Sequence, residues 1–329
     1  MNVAGLKEIG IIWRGELVRS LKSGRAVVLL LLFVLFTSLV LGVIAVFAYG
    51  FQSNQEKKFD EEIASSPYKD DLDPKKVAEQ REKATTSSSS GAKKFLINNL
   101  FAEDDAALAE MLLALPFTLL IVYKLTLIFL PLLITLMGFD QVSGEISTKS
   151  IRYLAVRVRR SSIVLGKFLA QASVLALLTF ACILIMVAVP LWLDKDFAVG
   201  KAVTTFLKLW GCAMVFSLAY MALASLCSAA FRQPPVSLAI NMIVLFMIWF
   251  VALIGNLLQI PGEAVSSISV SSMKTESVFA YIRYLSVWNY APDLIHPKLE
   301  RFAAAGAAHV GFAMIFLAAS YLVLRARDV

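Results

Sequence analysis

Residues that could carry out catalysis are scarce in this chain. Only two histidines occur among its 329 residues, His296 and His309, which is too few for a histidine-based metal site or a catalytic triad. The pair Gly166-Lys167 is followed by Phe168, which has no hydroxyl to ligate magnesium, so the pair does not end a phosphate-binding loop. These residue types predict a chain that is not an enzyme, binds no cofactor or metal of its own and does not hydrolyse nucleotides.

Ionisable residues within the long apolar segments are the other place where chemistry could occur. These segments contain no Asp or Glu, whereas ion-coupled carriers usually bind the proton or sodium ion through an intramembrane carboxylate. Lys124 is a charge in the middle of the apolar segment 111–137. Either this lysine has a functional role, because a charge at that depth is costly, or the span begins near Phe117 and the ammonium reaches outward.

Six long apolar runs define the fold. The chain is 59% hydrophobic and 17% charged, whereas roughly 25% of residues are charged in a typical soluble domain. The runs are 26–50, 111–137, 168–193, 209–231, 236–260 and 302–324. Each is long enough to cross a bilayer as a helix, which takes about 20 residues. We therefore predict an all-α polytopic membrane protein with six transmembrane helices.

Lysine and arginine are unevenly distributed between the segments that join these spans. With both termini in the cytoplasm, the inside segments hold 14 Lys and Arg residues against 5 Asp and Glu residues. Positive residues are retained on the cytoplasmic side of a membrane, so we predict that the N and C termini are both inside. The net charge of +7 is then explained by topology and does not indicate nucleic-acid binding.

Three segments outside the spans have distinct compositions. Residues 1–25 are typical of an amphipathic helix in the membrane interface, with a solvated basic flank as the alternative. Residues 51–110 are predicted to form a small helical insertion on the extracytoplasmic side, which is either a docking surface for a partner or a solvated loop. Residues 261–301 are too apolar for a free loop, and we predict an interfacial or re-entrant segment within the six-span domain 26–329.

The inside loop 139–160, between the second and third spans, combines apolar and charged residues at helical spacing. Ile151, Leu154, Ala155 and Val158 recur at the interval that places them on one face of a short helix. The residues of this loop that we assign to coupling with a soluble partner are Asp140, Glu145, Lys149, Ile151, Arg152, Leu154, Arg157 and Arg160. Such a helix, continuous with two spans, can pass motion from that partner to the membrane bundle; an ordinary positively charged loop is the alternative.

The order of these residues resembles the coupling loop of type-2 ABC transporter permeases, in particular the branch associated with multicopper-enzyme maturation. In that family the loop commonly reads Glu-x-x-x-Gly-Thr, then apolar residues, then Pro-x-x-Arg, then Gly-Lys. The matching residues are Glu145, Leu154, Arg160, Gly166 and Lys167. Thr148-Lys149-Ser150 stands where Gly-Thr is usual, and Val158 or a neighbour replaces the proline. The basic arm, the six spans and the basic tail follow the family pattern along nearly the whole chain.

The resemblance implies a subunit of the bacterial inner membrane that pairs with a second permease, identical or different, and with two ATP-binding subunits that hold ATP and magnesium. The loop helix would lie in a cleft of the ATPase, and Glu145 and the arginines would make polar contacts there. ATP-driven closure would then shift the spans and export a substrate or extract it from the lipid. Two alternatives stay open, namely a force-transmitting subunit that acts on an outside partner through 51–110, and an ion-coupled carrier.

Overall fold

The computed structural model describes residues 3–65, 106–113, 115, 117–193, 199–257 and 283–327. Over these residues the chain is helical, with no β-strand, which confirms the predicted all-α class. The helices are α1 (Val3–Lys22), α2 (Arg25–Ser65), α3 (Ala106–Leu113), α4 (Phe117–Gly138), α5 (Ser143–Ser147), α6 (Ile151–Arg157), α7 (Arg160–Leu193), α8 (Val199–Ala230), α9 (Pro234–Leu257) and α10 (Leu299–Ala326).

The prediction of a polytopic membrane protein is confirmed by the lengths and apolar character of these helices. Five of the described helices, α4, α7, α8, α9 and α10, can cross a membrane. The number becomes six if α1 and the beginning of α2, which are bent by 59° relative to each other, count as one broken span. The bend occurs at Gly24, whose φ of 69° is a left-handed conformation that glycine adopts without steric cost.

Helix α2 extends well beyond the first predicted span, which was expected to end at Gly50. It continues to Ser65 as one helix of 41 residues. Residues 51–65 are rich in Gln, Lys, Glu and Ala, which favour helix, and contain no Gly or Pro to end it. The first fifteen residues of the predicted insertion are therefore a continuation of the span.

Helix α8 lies in the middle of the bundle. In its most apolar stretch 78% is buried, compared with 17% for α9. Small side chains on α8, including Ala213, Ala219, Ala222 and Ala224, are almost completely buried. Small residues allow the backbones of neighbouring membrane helices to approach closely. Helices α4, α7 and α10 pack around this stripe, and α9 presents most of its surface outward.

Two of the segments predicted from composition are described only in part. Residues 66–105 of the predicted insertion and 258–282 before the last span lie outside the described residues. Beyond this second gap the chain forms three short 3-10 helices, Arg283–Leu285, Val287–Tyr290 and Pro292–Ile295. Leu294 and Ile295 are buried against the bundle core, so this part of the segment is packed on the protein.

Candidate functional site

The segment that connects α4 to α7, residues 139–159, contains two short helices where the sequence predicted one. Helix α5 ends before Thr148, and α6 begins at Ile151. Lys149 between them has a φ of 59°, which turns the chain. The hydroxyl of Thr148 donates a hydrogen bond to the Gly144 carbonyl at 3.0 Å, which satisfies the exposed end of α5. The single helix expected from periodicity is thus interrupted by local hydroxyl bonding and a left-handed residue.

The apolar side of this connecting segment packs against the bundle. Ile151 is only 2% exposed and contacts a cluster of buried residues that includes Val164 of α7 and Leu324 of α10. Leu154 and Ala155 are half-buried. The sequence placed these residues on one face, and in the structure that face is turned inward. Periodicity therefore identified the anchoring side of the segment.

The opposite side of α6 is exposed and carries both charge and large apolar groups. Lys149, Arg152 and Arg157 are exposed, as expected for residues that would meet a soluble partner. Tyr153 and Val156 are 81% and 88% exposed. Together these five residues form what we call the outer face of the connecting segment. Sequence reasoning missed Tyr153 and Val156, although their positions off the apolar stripe are the signal that would have found them.

A buried lysine joins the connecting segment to α1 and α7. Lys167 is 1% exposed, and its Nζ lies 2.5 Å from Glu16 Oε1 and 2.7 Å from Glu145 Oε1. Arg19 Nη1 lies 3.6 Å from the same Glu145 oxygen and 3.9 Å from Glu16 Oε1. We call these four residues the Lys167 cluster. Glu145, for which the resemblance implied a contact with an ATPase, thus binds residues of its own chain.

The electrostatics of the Lys167 cluster follow from its burial. Desolvation raises the pKa of the Glu145 carboxyl, because a charge is less stable away from water, and the adjacent Lys167 ammonium opposes that rise. The ammonium compensates two carboxylates at once. Removing one member of such a buried group leaves an uncompensated charge, which is much more costly than removing the whole group. The cluster therefore holds three elements in one arrangement.

Helix α1 is attached to α7 by two further features. Glu8 Oε2 accepts hydrogen bonds from the Arg159 backbone N–H at 3.3 Å and the Ser162 hydroxyl at 2.9 Å, so a carboxylate caps the N-terminus of α7. A Cβ added at Gly166 would lie 2.8 Å from Cβ of Ile12. The Gly166-Lys167 pair noticed in the sequence therefore has two structural uses, since glycine permits the helix crossing and lysine provides the ion pairs.

The carbonyl ends of α8 and α10 also meet this region. Arg160 Nη1 donates to the carbonyls of Leu324 at 3.3 Å and Arg325 at 2.5 Å, and Arg327 donates to the carbonyl of Ala230. Ser228 Oγ accepts hydrogen bonds from two backbone N–H groups at the start of α5, at 2.8 and 3.1 Å. Arginine suits a helix C-terminus because it compensates the unpaired carbonyls there. Residues near both ends of the chain thus lie at one end of the bundle.

Two predicted residues occupy other surroundings. Helix α4 begins at Phe117, so Lys124 lies two turns inside it and is half-buried. This is the geometry of the alternative in which the lysine reaches outward. Asp140 is half-buried and lines a cavity next to the Lys167 cluster. Neither residue belongs to the outer face.

Residues far apart in sequence form this site, which explains why part of it was not predicted. Glu16 and Lys167 are 151 positions apart, and the sequence alone gave no reason to pair them. In the described part of the chain, no group of three or more His, Cys, Asp or Glu residues is arranged to hold a metal ion. What the arrangement can do is mechanical, because an exposed outer face is rigidly tied to four long helices.

Comparison with protein families gives a match over nearly the whole chain. The family model described as ABC-2 family transporter protein matches residues 11–329. The comparison with curated proteins finds no match. The family match includes the connecting segment, the Lys167 cluster and the spans described above.

Proposed function

Because the chain belongs to the ABC-2 transporter family and is a membrane subunit of an ABC transporter, we propose that its connecting segment couples ATP hydrolysis in separate subunits to movement of the spans. Two ATP-binding subunits hold the ATP and magnesium, and a second permease completes the complex. This chain then contributes no catalytic residue. The end of the bundle that carries the connecting segment faces the cytoplasm, in the bacterial inner membrane, in agreement with the distribution of Lys and Arg.

The observation that supports this proposal is the two-sided character of α6. Its inner side is packed on the bundle through Ile151, whereas Tyr153 and Val156 on its outer face are more than four fifths exposed. Large apolar side chains that are ringed by charge at a surface are typical of a protein interface. Lys149, Arg152 and Arg157 provide that ring here. In the proposed complex the outer face lies in a cleft of the ATPase.

The contacts inside the chain provide a route by which movement of the outer face reaches the spans. The connecting segment is bound to α7 and α1 by the Lys167 cluster and to α8 through Ser228. Arg160 binds the end of α10. A displacement of α5 and α6 by nucleotide-driven closure therefore moves the ends of several helices together, as in other rigid-body transitions. Movement of these spans exports a substrate or extracts it from the lipid.

A second function is favoured by the length of α2. This helix continues for fifteen residues beyond Gly50 without interruption, which corresponds to roughly 22 Å of rigid helix at 1.5 Å per residue. A rod of that length can carry force from the membrane to a partner that binds the insertion 51–110. Deletion of 56–94 separates the two functions, because transport of a cargo between the spans tolerates the deletion and transmission of force does not.

The proposed coupling is tested by purifying the chain in mild detergent together with the products of the neighbouring reading frames. We expect an ATPase to co-purify, and its hydrolysis rate to change when the outer face is altered. Val156→Asp places a charge in the apolar centre of the interface, so we expect about tenfold weaker association. Gln233→Asp, at an exposed position in the turn between α8 and α9, is the matched control.

Two results would contradict the proposal. The first is a chain that purifies without any ATPase. The second is a complex in which Val156→Asp and Gln233→Asp have the same affinity and hydrolysis rate as the unaltered chain. Glu145→Ala separates contact from coupling, because Glu145 binds Lys167 within the chain. This variant should keep the ATPase bound while changing the response of hydrolysis.

A further inference from the structure

A polar cavity opens beside the Lys167 cluster, between α1, the first turn of α2, the end of α4 and the middle of α7. Its volume is about 120 Å³, roughly ten times the smallest volume that holds one water molecule. Glu16, Arg19 and Asp140 line it together with Gln141 and Gln171. The cavity is therefore large enough for a small polar group of several heavy atoms, and it lies where the apolar parts of α2, α4 and α7 end.

Gln171 indicates what kind of group the cavity takes. Its side chain is 4% exposed, and its Nε2 donates to the Ile134 carbonyl at 3.4 Å, which fixes the orientation of the amide. The Oε1 atom is buried and has no hydrogen-bond partner in the structure. A buried carbonyl oxygen without a partner is costly, so a donor is needed at this place. The missing partner is an N–H or O–H group.

The charges that line the cavity make the donor a cation. Glu16 and Asp140 are acidic and Arg19 is basic, which gives the lining a formal charge of −1. Adding Glu145 and Lys167 from the cluster leaves that sum unchanged. An ammonium group balances this charge and donates up to three hydrogen bonds, whereas a neutral hydroxyl group does not compensate it.

The other end of the cavity is suited to an anion next to that ammonium. Ser20 and Ser23, at the end of α1, contribute to the lining beside Arg19, which is 69% exposed. Arginine and serine side chains are common ligands of phosphate oxygens. Ala26 and Met137 complete the lining with apolar surface that continues into α2 and α4. An ammonium, a phosphate and an apolar continuation, in this order, are the parts of a phospholipid with a primary amine.

We propose that this cavity binds the headgroup of phosphatidylethanolamine from the surrounding leaflet. The ammonium donates to Gln171 Oε1 and to the carboxylates of Glu16 and Asp140, and the phosphate is bound by Arg19 and the serines. The site lies next to the contacts that hold the connecting segment, so the bound lipid stabilises the Lys167 cluster. The inference depends on the chain being in a membrane and is independent of the proposed coupling to an ATPase.

The test uses the full chain, purified in mild detergent and freed of lipid, and compares lipids that differ only in the headgroup. Phosphatidylethanolamine, its N,N-dimethyl derivative, phosphatidylcholine and phosphatidylglycerol are added separately at equal mole fraction, and retained lipid is counted by native mass spectrometry. Each methylation removes an N–H donor, so we expect retention to fall along the series. We expect phosphatidylcholine to be retained at least about tenfold less than phosphatidylethanolamine, because its quaternary ammonium donates no hydrogen bond to Gln171. Phosphatidylglycerol, which adds negative charge, should be retained least.

Variants on α7 locate the site. Gln171→Met removes the unpartnered acceptor with little change in shape, and we expect about tenfold lower retention of phosphatidylethanolamine. Thr179→Val removes a buried hydroxyl two turns away that bonds within its own helix, and serves as the matched control. Retention of phosphatidylcholine equal to that of phosphatidylethanolamine in the unaltered chain would overturn the proposal without any variant. Full displacement of the lipid by an equal concentration of soluble phosphoethanolamine would overturn the assignment to a lipid.

Discussion

Lys167 Nζ lies 2.7 Å from Glu145 Oε1, and this contact joins α7 to the first short helix of the connecting segment. The same ammonium lies 2.5 Å from Glu16 of α1. A lysine that is 1% exposed is stable as a cation only because these carboxylates surround it. The relationship makes one side chain responsible for the relative position of three elements, and it gives the first prediction.

Lys167→Met should destabilise the protein by about 3–5 kcal/mol, because it leaves two carboxylates buried side by side without a counter-charge. The measurement is the free energy of unfolding in mixed micelles. Lys208→Met, which removes an exposed lysine of α8, is the control and should change that free energy by less than about 0.5 kcal/mol.

The charge interpretation of this loss can be separated from lost packing by neutralising the partners. A triple variant that adds Glu16→Gln and Glu145→Gln to Lys167→Met removes all three charges together. We expect it to recover more than half of the lost stability, because neutral groups of similar size carry a smaller desolvation cost. A triple variant that is less stable than Lys167→Met alone would show that the carboxylates stabilise the fold in another way.

Gly166→Ala should separate α1 from α7. The added methyl group would meet Cβ and Cγ2 of Ile12 at 2.8 Å and the carbonyl of Ile9 at 3.2 Å, so the helices must move apart. We expect a loss of about 1–3 kcal/mol, as for other overpacked sites. Gly15→Ala on α1 has no atom within 4 Å of the new methyl group and should be stabilising by up to about 1 kcal/mol. Circular dichroism with denaturant measures both.

A double variant identifies the cause of the Gly166 effect. Ile12→Ala removes the side-chain atom that the new methyl group would meet, so Gly166→Ala should be less destabilising in that background than in the unaltered chain. Equal effects in the two backgrounds would mean that the sites are independent and that the crossing is held elsewhere.

Much of the fold was predictable because the physical signals for it are local. Long uncharged runs identify spans, and the spacing of Ile151, Leu154 and Ala155 identified the side of the connecting segment that packs inward. The extension of α2 to Ser65 was not predicted, because the span was ended where the apolar residues end. Helix propensity continues beyond that point, and it is not a membrane signal.

The site was less predictable because its contacts are non-local. Glu145 was recognised as part of a motif, but its partner Glu16 belongs to an arm 129 residues earlier in the sequence. Ion pairs between distant elements depend on how helices cross, and no periodicity carries that information. The exposed apolar residues Tyr153 and Val156 were overlooked for a different reason, since attention was given to charge on that side.

Arg160 and Arg157 are only three residues apart and should respond differently to the same change. Arg160 donates to the carbonyls of Leu324 and Arg325 at the end of α10, whereas Arg157 is exposed on the outer face. Arg160→Met should therefore lower the free energy of unfolding by about 1–2 kcal/mol, because the helix end loses a charged donor. Arg157→Met should change it by less than about 0.5 kcal/mol and weaken ATPase association. The reverse order of stabilities would mean that Arg160 does not hold α10.

Lys149→Gly should increase stability, although lysine was assigned a coupling role at this position. Lys149 has a φ of 59°, a left-handed conformation that costs a residue with a Cβ about 1–2 kcal/mol. Glycine avoids that cost and loses part of the gain to its greater freedom in the unfolded chain, so we expect a net gain of about 0.5–1 kcal/mol. Lys149→Ala removes the same charge but keeps the Cβ, so it should give no gain in thermal unfolding. A gain of equal size in both variants would assign the effect to charge, since Lys149 lies among the basic residues of the outer face. A gain confined to glycine would explain why the resembling permeases usually have glycine at this turn.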